Sequence, residues 1–209
     1  MAADKALAWS YAEGIVTEPS LMATARAQSA DLGIETLSAA TGKFLAVLAA
    51  SNGVQHIAEI GTGTGLSGLY LLSASHDSVL TTIDIEAEAQ NYARENFAAT
   101  NIRSGRYRLI NARSADILPR LADRAYDLVL VDGDPLEAAG DVDEALRMLR
   151  SGGILVLAHA LNSDRVADPA RRDHATVALR NLGKELIEAE ELISSLIPLG
   201  DGLVVSVKR

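Results

Sequence analysis

Closely spaced glycines behind an acidic side chain mark one short segment as a candidate ligand site. Glu59-Ile60-Gly61-Thr62-Gly63 follows an apolar run that predicts a strand and precedes an apolar stripe that predicts a helix. Glycines at such a junction permit positive φ and let backbone N–H groups approach a ligand. The segment is therefore predicted to hold a ligand, with a purely structural turn as the alternative.

Two classes of cofactor fit the glycine spacing. Gly63, Gly65 and Gly68 match the dinucleotide-binding spacing of nicotinamide enzymes, but this register starts two residues late after the strand. In the other register the carboxylate of Glu59 stands just before the first glycine. There it would repel a diphosphate and attract an ammonium group, such as that of S-adenosylmethionine.

Polar side chains also end the later apolar runs. Asp84 ends the second predicted strand, where an acidic residue accepts hydrogen bonds from a ribose; its alternative role is to cap the following helix. Asp132 and Asp134 follow the fourth strand, and His159 ends the fifth. Because ligands bind beyond the carboxyl ends of parallel strands, these residues are predicted to share one site, although Asp134 also suits a simple turn.

The surrounding pattern predicts the scaffold that positions these residues. Residues 1–53 are predicted as a helical cap, with one helix from Pro19 to Gly33 and another over 36–50. Residues 54–209 are predicted as a Rossmann-like α/β core in the same single domain, because apolar runs alternate with helical stripes. A helix opening at Asp168-Pro169 and a hairpin around Gly200-Asp201-Gly202 complete it. The predicted parallel strands are "VQHIAEI", "VLTTIDI", "YRLIN", "YDLVLVD" and "GILVLAH".

Composition narrows the classes of partner and compartment. The chain carries a net charge of −9, which disfavours nucleic acid and anionic membrane as partners. It contains no cysteine, which excludes disulfides and thiolate chemistry. No signal peptide or membrane-spanning run is visible, so a cytoplasmic protein is expected.

Taken in order, five motifs give the chain a resemblance to the class I S-adenosylmethionine-dependent methyltransferases. More narrowly, it resembles the caffeoyl-CoA and catechol O-methyltransferase-like family, in its actinobacterial branch. The resemblance covers nearly the whole chain and implies a doubly wound seven-stranded sheet, mostly parallel with an antiparallel last strand. The motifs are "AEIGTGTGLSGLYLL", "TTIDIE", "YDLVLVDGDP", "LRSGGILV" and "PLGDGL".

The same resemblance implies the cofactor contacts. Glu59 would meet the amino end of S-adenosylmethionine and Asp84 its ribose, and Leu37 is placed on the helix before the first strand. The family's Gly-Asp-Ala beside the adenine is replaced here by Ala112-Arg113-Ser114, which removes the usual acceptor for the adenine amine. The full set of predicted cofactor-binding residues is Leu37, Glu59, Gly61, Thr62, Gly63, Ser67, Asp84, Ile85, Ser114 and Asp132.

Catalysis is where the chain departs from the family pattern. Metal-dependent members carry a lysine where this chain has Pro135, and Asp-Asn where it has Ala158-His159. Asp132 alone would not hold Mg²⁺ tightly, so no metal site is predicted. His159 is predicted as the general base, positioned by Asp132 or Asp134.

The sequence thus predicts a metal-independent O-methyltransferase that uses S-adenosylmethionine and methylates a hydroxyl of a small-molecule acceptor. The family resemblance further implies that the protein is a homodimer. One alternative is a protein that binds the cofactor but has lost catalysis. A nicotinamide-dependent oxidoreductase is the other alternative.

Overall fold

The apolar runs after residue 53 form the strands of one sheet. The computed structural model describes residues 5–51 and 53–209, so residues 1–4 and Asn52 of the predicted cap lie outside the described residues. The strands are β1 His56–Ile60, β2 Val79–Asp84, β3 Tyr107–Asn111, β4 Tyr126–Val131, β5 Leu149–Leu157, β6 Leu192–Ile197 and β7 Leu203–Lys208.

Helices precede β1 and connect the strands. In the described residues they are α1 Lys5–Gly14, α2 Ser20–Asp31, α3 Ala39–Ala50, α4 Leu66–Ser73, α5 Ala87–Ala98, α6 Ser114–Ile117, α7 Ala138–Met148 and α8 His174–Glu188. None of these helices is long and apolar enough to cross a lipid bilayer.

The strand order is β3-β2-β1-β4-β5-β7-β6. β1 pairs in parallel with β2 on one side and β4 on the other, so the chain changes direction across the sheet between β1 and β4. β7 runs antiparallel to both β5 and β6. This confirms the predicted fold class, and the switch between β1 and β4 is where a doubly wound sheet leaves a crevice for a ligand.

Both faces of the sheet are covered, as the apolar strands require. One core cluster packs α2 to α5 against the sheet and contains the fully buried Tyr70 and Phe97. The second cluster packs α7 and α8 against the other face and contains Met148 and Leu182.

Residues 32–38, between α2 and α3, form a loop that the sequence placed partly in a helix. Ser38 caps α3 by accepting a hydrogen bond from the Thr41 N–H at 3.1 Å, so the helix begins at Ala39 and Leu37 lies in the loop. Arg26 fixes this loop by donating to the Leu37 carbonyl at 2.7 Å while its guanidinium also pairs with Glu18. The prediction that Leu37 lies on a helix is therefore wrong.

The start of α8 also differs from the prediction. Asp173, not Asp168, is the N-cap, because its carboxylate accepts hydrogen bonds from both the N–H and the hydroxyl of Thr176, at 3.0 and 2.8 Å. The segment before it is held in a non-helical path by Arg180, which donates to carbonyls including those of Val166 and Asp168. These long-range hydrogen bonds are invisible to a local capping pattern.

Gly68 lies where α4 packs tightly on the sheet, so adding a side chain there tests the packing. A Cβ at this position would lie 2.7 Å from Phe97 Cζ and 2.9 Å from Leu80 Cδ2. We expect Gly68→Ala to lower the free energy of unfolding by about 1–3 kcal/mol through overpacking. Gly140→Ala is the matched control, since it is also the third residue of a helix and its Cβ would meet nothing within 4 Å. The control should gain about 0.5–1 kcal/mol from helix propensity in urea unfolding; equal effects of both variants would contradict this packing.

Candidate active site

A cavity of about 390 Å³ opens at the carboxyl ends of β1, β2 and β4. Its walls are the loop after β1, the end of β2, the residues after β4 and the loop before α3. This is the switch point of the sheet, where the sequence predicted the functional residues to converge. The volume lies within the range of about 300–1,000 Å³ that is usual for small-molecule sites.

The three glycines of the loop after β1 differ in what a side chain at each position would meet. A Cβ on Gly61 would collide with the carbonyl oxygen of Asp132, so this glycine permits the ends of β1 and β4 to approach. Gly65 has φ +86° and a Cβ there would crowd Ala93 and Phe97. Gly63 has φ +50°, and the nearest atom to its Cβ would be in Ile34, 3.9 Å away. Of the three, Gly63 is the glycine on the open side of the loop.

Asp84 binds this loop directly. Its Oδ2 accepts a hydrogen bond from the Gly63 N–H at 2.7 Å, and its Oδ1 accepts one from the Glu86 N–H at 2.8 Å. The N-cap of α5 is Glu86, so the alternative role of Asp84 as that cap is wrong. The carboxylate lines the cavity while it fixes the backbone of the loop.

Glu59 does not lie on the cavity wall. It is fully buried beneath the loop, in a parallel register that places it opposite Thr82 of β2. Thr82 Oγ1 donates to Glu59 Oε2 at 2.6 Å, while Glu59 Oε1 has no hydrogen-bond partner. The sequence predicted a contact between this carboxylate and the cofactor, whereas the strand pairing directs it onto β2.

Burial raises the pKa of Glu59 to about 8, because desolvation disfavours the charged carboxylate. The hydroxyls of Ser67 and Thr82 oppose this rise, and the negative charges of Asp132 and Asp84 add to it. Glu59 therefore carries its proton at neutral pH.

His159 stands between two carboxylates. Its Nε2 lies 3.4 Å from Asp132 Oδ1, and its Nδ1 lies 3.2 Å from Asp201 Oδ2. Asp132 lines the cavity, whereas His159 is not among the lining residues and reaches the cavity wall through its contact with Asp132; its side chain is 22% exposed. The structure thus brings His159 to the predicted edge of the sheet.

The pKa of Asp132 is raised to about 7, chiefly by burial. The electrostatic interaction with His159 lowers it, while the carboxylates of Glu35 and Asp84 raise it. A carboxyl group in these surroundings exchanges its proton near neutral pH.

Asp134 is placed differently from Asp132. Its side chain is exposed at the rim of the cavity, and its Oδ1 accepts a hydrogen bond from the Leu136 N–H at 2.8 Å. Asp134 therefore closes its own turn, and the carboxylate against the His159 ring on this side is that of Asp132.

The remaining predicted cofactor residues lie on the cavity wall. Ser67 is buried in the first turn of α4, Ser114 is buried at the start of α6, and Ile85 is exposed after β2. The cavity lining includes nine of the ten predicted cofactor-binding residues, Glu59 being the exception; they are Leu37, Gly61, Thr62, Gly63, Ser67, Asp84, Ile85, Ser114 and Asp132.

Sequence reasoning missed two acidic residues that lie close to His159. Glu35 lies in the loop before α3 and lines the cavity, and Asp201 lies in the turn between β6 and β7. Neither belongs to a pattern with chemical meaning on its own. Asp201 was recognised only as the centre of a glycine turn, and its partner His159 is 42 residues away.

The cavity wall is strongly acidic. Of its lining residues that the structure describes, the one with a basic side chain is Arg113, and its guanidinium forms an ion pair with Glu137. The acidic lining residues are Glu35, Asp84, Glu86, Asp132, Asp134, Glu137 and Asp141. Such a wall attracts cations and repels phosphates.

One set of donors near the cavity has the spacing of a metal site. Possible ligand atoms of Glu35, His159 and Asp201 lie within 4.8 Å of one another. The oxygen-rich set of the metal-dependent relatives is not reproduced, because Ala158 offers no side-chain ligand and His159 already pairs with Asp201. The donors present fit a hard cation such as Mg²⁺ poorly.

Comparison with known proteins agrees with this architecture. The model of the O-methyltransferase family matches residues 12–209. A relative from Mycobacterium ulcerans that bears an O-methyltransferase name is 44% identical over 199 residues, covering 95% of this chain and 89% of the relative. A similarly named relative from Mycobacterium tuberculosis H37Rv is 43% identical over 201 residues, covering 96% and 90%.

Solved structures share the fold. A Corynebacterium glutamicum protein superposes with a TM-score of 0.87 at 35% identity, over 98% of this chain and 96% of that one. The O-methyltransferase TomG of Streptomyces achromogenes, involved in tomaymycin synthesis and solved in complex with S-adenosylmethionine, gives a TM-score of 0.84. It is 23% identical, over 100% and 99% of the two chains, so it supports the fold alone.

The sheet order and the cavity at its switch point define a Rossmann-like ligand-binding α/β protein. Within that class, the chain belongs to the O-methyltransferase family.

Glu59→Gln tests the buried carboxyl group. The unfolded chain loses this proton at about pH 4.5, but the folded protein holds it until about pH 8, so between these values stability falls as pH rises, by about 1.4 kcal/mol per unit. The introduced glutamine cannot ionise, so the variant should gain stability relative to wild type by a few kcal/mol from about pH 5 to about pH 8. Urea unfolding across this range measures the difference, with Glu95→Gln on the exposed face of α5 as control. Parallel profiles for Glu59→Gln and wild type would contradict the raised pKa.

Proposed function

We propose that this protein transfers the methyl group of S-adenosylmethionine to a hydroxyl oxygen of a small-molecule acceptor, without a divalent metal. Membership of the O-methyltransferase family supports the reaction class. The observation that carries the choice of cofactor is the acidic wall of the cavity at the switch point.

That wall suits the charge of S-adenosylmethionine, whose sulfonium and ammonium groups are positive. Asp84, at the end of β2, and Asp132, after β4, line the cavity on either side of the end of β1. We assign Asp84 to the ribose hydroxyls, and Asp132 with Glu35 to the positive part of the cofactor. Glu59 supports the loop from below in this assignment.

A dinucleotide fits the same wall poorly. Its pyrophosphate would face several carboxylates and needs free backbone N–H groups on the loop. The Gly63 N–H already donates to Asp84, and the Gly65 N–H donates to the Thr62 carbonyl at 2.9 Å. These contacts oppose the nicotinamide alternative.

When bound, S-adenosylmethionine supplies an electrophilic methyl group on a good leaving group. The protein must align the acceptor oxygen with that methyl group and remove the hydroxyl proton. We assign proton removal to His159, whose ring lies beside Asp132. Asp134 lies at the rim of the cavity, and we assign it to contact the acceptor molecule.

Residues 1–209 are proposed to form a single domain, with 1–53 as its helical cap and 54–209 as its Rossmann-like core. We also propose a homodimer and a cytoplasmic location. The family resemblance supports the dimer, and the absence of cysteine fits a reducing compartment. Sedimentation velocity would test the dimer.

Asp84→Ala tests the cofactor assignment. The change removes both the proposed ribose acceptor and the hydrogen bond that orients Gly63, so S-adenosylmethionine affinity should fall by about 10- to 100-fold. Isothermal calorimetry with S-adenosylmethionine and with NAD measures this. The control is Asp143→Ala, at an exposed position on α7. Tight NAD binding by the wild-type protein would overturn the assignment.

Metal removal tests the catalytic assignment. After a screen of hydroxylated acceptors, S-adenosylhomocysteine release should survive EDTA and fall by about 100-fold or more in His159→Gln, because general base catalysis contributes about 10²–10⁴-fold. His76→Gln, at an exposed position after α4, is the control. Activity lost to EDTA and restored by one ion would contradict metal-free transfer, and cofactor binding without turnover of any acceptor would favour the degenerate binding protein.

A further inference from the structure

The turn between β6 and β7 is held rigidly against the segment that follows β5. The Leu161 N–H donates to the Asp201 carbonyl at 2.9 Å, and the Ala160 N–H donates to the Gly202 carbonyl at 3.0 Å. From the other side, Glu13 of α1 accepts a hydrogen bond from the Gly200 N–H at 2.6 Å. The turn therefore has a fixed position relative to the residue just before this segment, which is His159.

The flanking glycines allow this close approach. Gly200 and Gly202 have φ +57° and +79°. A Cβ on Gly200 would lie 2.5 Å from Thr41 Oγ1, and one on Gly202 would lie 2.5 Å from Leu161 Cγ. The turn thus fits between α3 and the segment after β5 only with glycine at both positions. In this place the Asp201 side chain reaches the ring of His159.

The Asp201 carboxylate has two partners. Its Oδ1 accepts a hydrogen bond from the Ser163 N–H at 2.6 Å, and its Oδ2 lies 3.2 Å from His159 Nδ1. A carboxylate can only accept, so this contact requires a proton on Nδ1. The contact of Nε2 with Asp132 Oδ1 is longer, at 3.4 Å, and lacks hydrogen-bond geometry, so the neutral ring keeps Nε2 unprotonated. Burial favours the protonated form of Asp132, and a protonated carboxyl group does not repel the lone pair of Nε2.

The backbone at His159 is also unusual. Its φ is +50°, and Asn162, Ser163 and Asp164 have φ of +48°, +53° and +63°. Left-handed backbone at non-glycine residues costs free energy and persists where surrounding contacts impose it. Here it turns the chain so that His159 and the Ser163 N–H both face the Asp201 carboxylate.

We propose that Asp201 is a positioning residue for His159, which holds the imidazole in the Nδ1–H tautomer so that Nε2 receives the acceptor's proton. The inference rests on the proposed function for its catalytic consequence. As the acceptor oxygen bonds to the methyl carbon, the carbon–sulfur bond breaks and its electron pair stays on sulfur. The hydroxyl proton passes to Nε2, and the imidazolium retains its proton on Nδ1.

The charged groups around the ring suit this role. Asp201 faces Nδ1 from the β6–β7 turn, Asp132 faces Nε2 from the end of β4, and Glu35 approaches from the loop before α3. All three are acidic, so they stabilise the imidazolium that forms when the proton arrives. Of these three carboxylates, that of Asp201 also accepts a hydrogen bond from a backbone N–H, that of Ser163, which fixes the orientation of the carboxylate toward the ring.

The direct test is the tautomer of His159 in the wild-type protein. Two-bond ¹H–¹⁵N spectra of uniformly labelled protein, recorded where the imidazole is neutral, distinguish a protonated Nδ1 from a protonated Nε2. The chain has four histidines, and the signal that disappears in His159→Gln assigns the ring. We expect Nδ1–H, and an Nε2–H tautomer would overturn the proposal whatever the protein's activity.

Asp201→Asn is the matched perturbation. The side-chain carbonyl of the introduced asparagine can still accept from the Ser163 N–H, which turns its NH₂ group toward Nδ1 and favours the Nε2–H tautomer. We expect that tautomer in the spectra, a fall in kcat of about 100-fold or more, and unchanged affinity for S-adenosylmethionine. Asp164→Asn is the control, because it removes the same charge from an exposed position nearby where asparagine tolerates a left-handed backbone.

The outcomes separate this proposal from the proposed function. A wild-type kcat in a folded Asp201→Asn protein would overturn the positioning role. If Asp201→Asn fails to fold, the wild-type tautomer decides. An Nδ1–H ring in a protein that transfers no methyl group would refute the proposed reaction while leaving the Asp201–His159 contact intact.

Discussion

A chain of buried hydrogen bonds beneath the glycine loop holds the cavity in shape. The Gln90 side chain donates to Thr62 at 3.1 Å, and the Thr62 hydroxyl meets that of Thr82 at 2.7 Å. The Thr82 hydroxyl in turn donates its hydrogen bond to Glu59 Oε2, so in the contact between the two threonines the Thr62 hydroxyl is the donor. Breaking any of these hydrogen bonds would leave further buried polar atoms without partners, besides Glu59 Oε1 and Gln90 Oε1, so the network fixes the loop to β1, β2 and α5 together.

The position of that loop determines what the cavity can bind. Asp84 pulls the Gly63 backbone toward β2, while the missing side chain of Gly61 lets the end of β1 meet the backbone of Asp132. The carboxylates that follow β2 and β4 are thereby brought to one wall. Their mutual repulsion and their desolvation, which raises the pKa of Asp132, both favour a ligand that brings positive charge.

The surroundings of His159 depend on a second set of contacts, made by the N-terminal helices and the β6–β7 turn. Arg26 fixes the loop that carries Glu35 and Leu37 through the Leu37 carbonyl. Glu13 fixes the turn that carries Asp201. The helices before β1 therefore hold in place both the loop and the turn that bring acidic side chains to His159, and they do so through hydrogen bonds to the backbone of these segments.

Local patterns were sufficient for the alternating α/β class and for the polar residues at the strand ends, while the family resemblance supplied the other predicted residues of the cavity wall. Alternating apolar runs and helical stripes predicted the doubly wound sheet, and the polar residues at strand ends predicted Asp84, Asp132 and His159 at one edge. They were insufficient for boundaries set by distant hydrogen bonds. The caps of α3 and α8 moved to Ser38 and Asp173 because side chains elsewhere hold the preceding segments in place.

By itself the sequence determined which polar residues lie at or just beyond the ends of β2, β4 and β5, because apolar periodicity and strand direction are encoded locally. It did not determine which face or partner each side chain would meet. Only the parallel register placed Glu59 opposite Thr82 and beneath the loop. Only the folding of the β6–β7 hairpin beside β5 brought Asp201 to His159, because a contact across 42 residues depends on how the strands pair and has no local signal.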